Sequence, residues 1–281
     1  MKSGVKRTTP YKVISIIILV ILAILFLFPL YWIVTGAFKP TTDIYASQPV
    51  WWPSEWVTSN FAKLFTKRSA PLFTIGSLVG PTVPAAIRWL INTVFMAVVA
   101  MLLTCITATM AGYALAKKRF IGRALLFSLI ICAMALPKQV ILIPLLKEMS
   151  TLKLYDRLWA VIFPTVGWPF GVFLMKQFYE GVPTELCEAA RIDGLSEYGI
   201  WWHIMLPLSL PALSTLTIFT FVNTWNDFLG PLIYLTKTEL KTIQIGLRMF
   251  ITQYSAEYGL IMAASVVALI PVLIEIGRAH V

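Results

Sequence analysis

The residues able to do chemistry are few, and they are unevenly placed. Of 13 acidic residues, Glu180, Glu185, Glu188, Asp193 and Glu197 fall within one stretch of 18 positions. The histidines are His203 and His280, and neither has a neighbour at a metal-ligand spacing, so no metal site is assigned. His203 reads as a surface or interface residue rather than a ligand. There is no Gly-x-x-x-x-Gly-Lys-Ser/Thr to cradle a nucleotide, and no catalytic set competes, so the chain is read as a non-enzyme without a cofactor. Cys105 and Cys132 lie in apolar runs and Cys187 in a polar loop, so no disulfide is expected.

Within the acidic stretch, Pro183 and Thr184 open a helix with Glu185 in its first turn, where a carboxylate favours the helix dipole. Leu186, Ala189 and Ala190 share one face at i, i+3, i+4. Gly194 stands where a helix end needs a left-handed residue, and Ser196 caps a second short helix. Pro207 and Pro211 then open an apolar run. A helix–Gly–helix with a small-residue face and an acidic rim suits docking in a partner's groove. The other reading is an amphipathic loop lying on lipid, against which an anionic leaflet repels the acids. A second polar set, Asn223, Asn226 and Asp227, has i, i+3, i+4 spacing near the outer end of that run. With Trp225 it offers the hydrogen bonds and ring face that sugar hydroxyls take. The plainer alternative is a hydrogen-bonded cluster between helices, with Trp225 as an interfacial anchor.

The elements that hold these residues are membrane helices. At 58% hydrophobic and 13% charged, the chain has about half the charge of a soluble domain, which excludes soluble, disordered and disulfide-framework classes. A net charge of +10 would point to nucleic acid in a soluble protein. Here the basic residues punctuate apolar runs and set orientation, so no nucleic-acid partner is expected. Uncharged runs of 26 residues separate Lys12 from Lys39, 28 separate Arg88 from Lys117, and 29 separate Glu197 from Asp227. Since a span needs about 20 apolar residues, six helices are expected near 13–36, 86–116, 122–146, 157–178, 206–233 and 257–274. The first follows a basic start and lacks a cleavage site, so it is read as uncleaved. Four Lys/Arg in residues 1–12 and four in 116–123 place both on the cytoplasmic side of a cell membrane, and six spans return the C-terminus there. Residues 37–85 are then an external loop. Its Trp51, Trp52 and Trp56 read as interfacial anchors rather than a ligand platform.

The run Glu-Ala-Ala-Arg-Ile-Asp-Gly at 188–194, with Leu-Pro at 206–207 and again at 210–211, resembles the EAA loop of binding-protein-dependent ABC importer permeases. The segments 111–123, 173–179 and 224–232 are similar to the carbohydrate branch, specifically the maltose/glycerol-3-phosphate-type second permease, and the resemblance spans roughly 11–274. It implies an all-α polytopic protein of the type I ABC importer architecture, with a permease core at 86–274 and an EAA loop at 177–205. It implies docking of a cytoplasmic ATP-binding subunit dimer on Glu188, Ala189, Ala190, Asp193 and Gly194. It implies, further, a second permease subunit, an extracytoplasmic solute-binding protein and a carbohydrate substrate. Asn223, Asn226 and Asp227 are the candidates for the translocation path. The reading from a different class is a stand-alone secondary transporter or channel, which usually shows inverted repeats and central buried charge; neither is evident.

The last seven residues, Glu275 to Val281, are what the DNA string GAG-ATC-GGA-AGA-GCA-CAC-GTC would encode, and that string contains a widely used short-read sequencing adapter. Residues 275–281 are therefore read as adapter read-through, with the natural frame continuing, and no role is assigned to Glu275, Arg278 or His280.

Overall fold

The computed structural model describes residues 10–75, 78–251 and 257–278. Most of the basic N-tail and residues 279–281 lie outside the described residues, although the last helix continues through Glu275 to Arg278. The chain divides into two compact units, residues 1–67 with 250–267, and residues 68–249 with 268–281.

In the first unit, α1 (Pro10–Ala37) is apolar on every side, and its large side chains from Val13 to Phe28 are exposed. Such a helix is stable in lipid, where apolar side chains on all faces meet apolar solvent. Its C-terminal end is tied down by polar contacts. Buried Asn60 donates to the Ala37 and Lys39 carbonyls at 3.0 and 2.9 Å, and the Tyr31 hydroxyl donates to the Trp51 carbonyl at 2.6 Å. Lys39 sits 4.1 Å over the Trp32 ring. Two short helices, α2 (Thr41–Ile44) and α3 (Ser59–Thr66), follow α1 in this unit. Trp51, Trp52 and Trp56 are all exposed, with Trp52 and Trp56 edge to face at 5.4 Å.

The second unit begins with a small feature that the all-α expectation did not include. Strands β1 (Ser69–Pro71), β2 (Thr74–Ile75), β3 (Leu78–Val79) and β4 (Thr82–Pro84) pair antiparallel as β1–β4 and β2–β3, two nested ladders. They lead into α4 (Ala85–Lys117), 33 residues long and so about 50 Å at 1.5 Å per residue. A hydrocarbon core is about 30 Å thick, so α4 is longer than a span requires.

The expected third and fifth spans are each sharply bent, and the fourth, Trp159–Glu180, is one 22-residue helical run with a short irregularity at 167–168. Residues 122–146 form α5 (Arg123–Met134) and α6 (Lys138–Thr151), bent by 108°. The cause is Pro137, which lacks a backbone donor and disfavours a helical residue before it. Next come α7 (Trp159–Val166) and α8 (Pro169–Glu180), with Pro169 at the start of α8. After α9 (Glu185–Ile192) and α10 (Glu197–Ile200) comes a π-helical turn at Trp201–Met205, then α11 (Leu206–Leu208) and α12 (Leu210–Trp225). The helix axis turns by 82° at the break around Ser209. Then follow α13 (Leu229–Tyr234), α14 (Ile243–Arg248) and α15 (Tyr258–Arg278). Among the described residues, four helices are long and apolar enough to cross a membrane, or up to six if each bent pair is one span.

α4 is the mast of this unit, packing against α7, α8, α12 and α14. Its approach to α8 is set by glycine. A Cβ at Gly112 would lie 2.7 Å from the Met175 Cβ and 2.9 Å from the Lys176 backbone nitrogen, so only a hydrogen fits. Hydroxyls on the helices bond to their own preceding turn. Thr93, Thr107, Thr109, Thr165, Ser214 and Ser265 each donate to the carbonyl four residues back, at 2.7–3.1 Å.

Gly112→Ala is expected to lower the unfolding midpoint of the purified protein by an amount equivalent to about 1–3 kcal/mol, because the new methyl meets backbone and a fixed Cβ. Gly167→Ala, where a Cβ meets nothing within 4 Å, is expected to stay within about 0.5 kcal/mol. Thermal melts of both variants in one detergent check the contrast.

Candidate coupling loop and translocation cleft

The acidic stretch folds as a helix–turn–helix. α9 starts after Thr184, with Glu185 and Glu188 in its first turn and Arg191 in its last, an arrangement favourable at both ends of the helix dipole. Gly194 has φ +83°, the left-handed conformation expected of it, which a side-chain-bearing residue there would strain. The Ser196 hydroxyl accepts the Gly199 N–H at 3.2 Å and caps α10.

The face of α9 differs from the expected one. Cys187 and Ala190 turn inward, while Leu186 and Ala189 stay exposed. Cys187 therefore does not lie in a polar loop. It is fully buried among Tyr113, Met175, Tyr179, Ile200, Trp201 and Met205, and burial pushes its thiol pKa up. Of the five candidate docking residues, Glu188, Ala189, Asp193 and Gly194 form an exposed rim, and Ala190 lies beneath it. Ile192, Tyr198 and Trp202 of the same stretch are also exposed, so the loop's surface carries both apolar and acidic side chains. His203 is on the surface, its Nδ1 3.1 Å from the Gly199 carbonyl oxygen.

The loop is fixed to the C-terminal end of α4 by side chains that the spacing of the acidic stretch does not reveal. The Tyr113 hydroxyl donates to Glu197 Oε2 at 2.6 Å, the Arg191 Nε donates to Glu197 Oε1 at 2.9 Å, and Lys118 pairs with Glu197 Oε2. Lys117 donates to the Val182 carbonyl. The Tyr179 and Ser209 hydroxyls meet at 3.0 Å below. Tyr113 lies 84 positions from Glu197, so sequence reasoning had no local signal for the pair. The Lys-Lys of the basic turn, read only for orientation, was the available hint.

The second polar set sits elsewhere in the same unit. α12 ends at Trp225, with Asn226 as its C-cap and Asp227 beyond it, so the three residues are not on one continuous helical face. They still line one cleft of about 590 Å³, together with Lys138, Gln139, Trp168 and Phe219. The Asp227 side chain is 9% exposed; its Oδ2 is 2.8 Å from Lys138 Nζ and its Oδ1 accepts the Gly230 N–H at 3.3 Å. Trp225 is neither an interfacial anchor nor a free stacking surface. It is buried and stacked on Phe221 at 5.6 Å, and the indole at the cleft is Trp168. Lys138 enters because the Pro137 break points the start of α6 toward Asp227, an arrangement hidden while 122–146 reads as one helix. Among the described residues no group of three His, Cys, Asp or Glu is placed to hold a metal.

Residues 107–281 match the family described as the inner membrane component of binding-protein-dependent transport systems. The chain belongs to this family. The permease is 34% identical over 255 residues to the arabinooligosaccharides transport system permease protein AraQ of Halalkalibacterium halodurans, covering 90% of this chain and 86% of that one. It is 27% identical over 274 residues to the lactose transport system permease protein LacG of Rhizobium radiobacter, covering 98% and 93%. Its fold matches a chain in the crystal structure of a bacterial ABC transporter involved in import of the acidic polysaccharide alginate, with TM-score 0.80, 21% identity and coverage of 100% and 98%. The resemblance read from the EAA run is thereby borne out. The permease is an inner-membrane subunit of an ABC importer, with ATP hydrolysis in a separate ATPase subunit, and the secondary-carrier reading has no support.

The pH behaviour of the clamp follows from Glu197. Arg191, then Lys118 and Tyr113, hold its carboxyl down to about 2 against an opposing effect of burial, from an ordinary 4.5. The folded state thus binds this proton more weakly than the unfolded one. The clamp's contribution is fully present above pH ~4.5 and is lost as pH falls toward ~2. Amide exchange of residues 185–200, corrected for intrinsic rates, is expected to be flat from neutral pH to about 5 and to rise below it. In Glu197→Gln that pH-linked rise should disappear.

Proposed function

We propose that this permease is one of two permease subunits of a carbohydrate importer, with six spans and both termini cytoplasmic. In this reading each bent pair, α5 with α6 and the helical run from α10 through α12, makes one span, and α7 with α8 makes another. The basic residues of the N-tail and of the turn after α4 support the orientation. The transport names of the relatives, arabino-oligosaccharides and lactose, support a sugar substrate delivered by a solute-binding protein.

One observation carries the coupling reading. The rim Glu188, Ala189, Asp193 and Gly194 is exposed on a helix pair whose opposite face is buried and pinned. A surface with a rigid base and uncovered apolar side chains is what an ATPase groove can grip. The cleft lined by Asn223, Asn226 and Asp227 is the proposed stretch of sugar path within this subunit. Its amides and the Trp168 indole suit hydroxyls and a pyranose face.

Gly194→Trp is expected to insert normally yet abolish ATP-dependent uptake, because the residue is strained at φ +83° and crowds the rim. A cysteine at Ala189, an exposed position, should cross-link to the ATPase; no cross-link together with surviving uptake in Gly194→Trp would refute the docking reading. For the path, Asp227→Asn should change the uptake rate or substrate range while leaving the assembled complex intact on size-exclusion chromatography. Loss of assembly in that variant would favour a purely interhelical role.

A further inference from the structure

A loop gripped by an ATPase must hand its displacement to membrane helices, and two routes are open to it. One runs along the chain from α10 into α12. It passes through the π-helical turn Trp201–Met205, then Pro207, then the break at Ser209 where the axis bends by 82°. A π turn is a widened, irregular stretch of helix, and proline removes a backbone hydrogen bond, so this path is a joint rather than a strut. The Trp201 indole N–H inside it is buried without a hydrogen-bond partner, a sign of a turn not settled into optimal packing.

The other route runs sideways into α4. Both oxygens of the Glu197 carboxylate are engaged, Oε2 by the Tyr113 hydroxyl and Lys118, Oε1 by the Arg191 Nε. One carboxylate therefore joins α10, which carries it, to α9 through Arg191 and to the end of α4 through Tyr113 and Lys118. Tyr113 is buried at 5% exposure and adjoins Gly112, where α4 packs against the backbone of α8. Exposed ion pairs of this kind add little stability, so what three converging donors supply here is a fixed position.

We infer that Glu197 is the positioning residue of coupling: it makes α9, α10 and the end of α4 one rigid lever, and the π turn is the joint on which that lever moves against α12. The inference rests on the docking reading of the loop above.

The test uses the complete transporter, reconstituted with its ATPase and second permease in nanodiscs and with exposed Cys132 replaced by serine. Spin labels at Met110→Cys on α4 and Ala189→Cys on α9 report their separation in nucleotide-free and ATP–vanadate-trapped states. With Glu197 intact the distribution should be narrow and unchanged between states. In Glu197→Ala it should broaden and shift on trapping, while cross-linking from Ala189→Cys to the ATPase persists. Should Glu197→Ala fold poorly, Tyr113→Phe with Arg191→Gln removes two of the three donors and carries the same expectation. A separation that changes between states with Glu197 intact, or one that stays narrow in both clamp-broken variants, overturns the lever while the cross-link leaves docking standing. Absence of the cross-link in the intact protein overturns docking and the lever together.

Discussion

Everything in the second unit is referred to the contact between α4 and α8 at Gly112. In lipid, helices gain little by hiding apolar surface from one another, so association rests on close packing. Gly112 brings α4 against the backbone of α8 at Lys176, and Gly171 lies against Ala108, Thr104 and Leu216. Two helices held this closely present one rigid surface. Tyr113 and Tyr179 close a floor on which α9 and α10 lay Cys187, Ala190 and Ile200, and the π turn lays Trp201. The exposed rim of the helix pair is stiff because this floor is stiff.

The sequence made the spans and the loop legible for different reasons. Long apolar runs are governed by a one-body preference for lipid, so α1, α4 and α15 fall within a few residues of expectation. Gly194 and Ser196 were equally readable, because a left-handed turn and an N-cap depend on local backbone chemistry. What depends on partners far away in the chain was not. Trp225 looked like an anchor in isolation, yet packing against Phe221 buries it. Cys187 sits among charged neighbours in sequence, while its spacing to Ala190 already matches an inward helical face. The Glu197 clamp and the Lys138–Asp227 pair each join residues more than 80 positions apart.

Polar groups at depth follow one economy. Where a charge is needed it is matched. Asp227 has Lys138 and the Gly230 N–H, and a methyl at Gly230 would intrude to 2.7 Å from the Asp227 carboxylate. Lys176 is paired with Glu180 at 2.7 Å and lies 3.8 Å from the centre of the Phe127 ring, so its charge is shared between an anion and a π face.

The hydroxyls that bond to their own helix bear on biogenesis. A ribosome releases α4 about 90 residues before α12 begins, and for that interval its partner surface does not exist. Thr93, Thr107 and Thr109 lean on carbonyls already present within α4, so the segment enters the bilayer with those donors satisfied. The membrane can therefore accept this chain one helix at a time, and assembly can wait until the last glycine-lined contact is made.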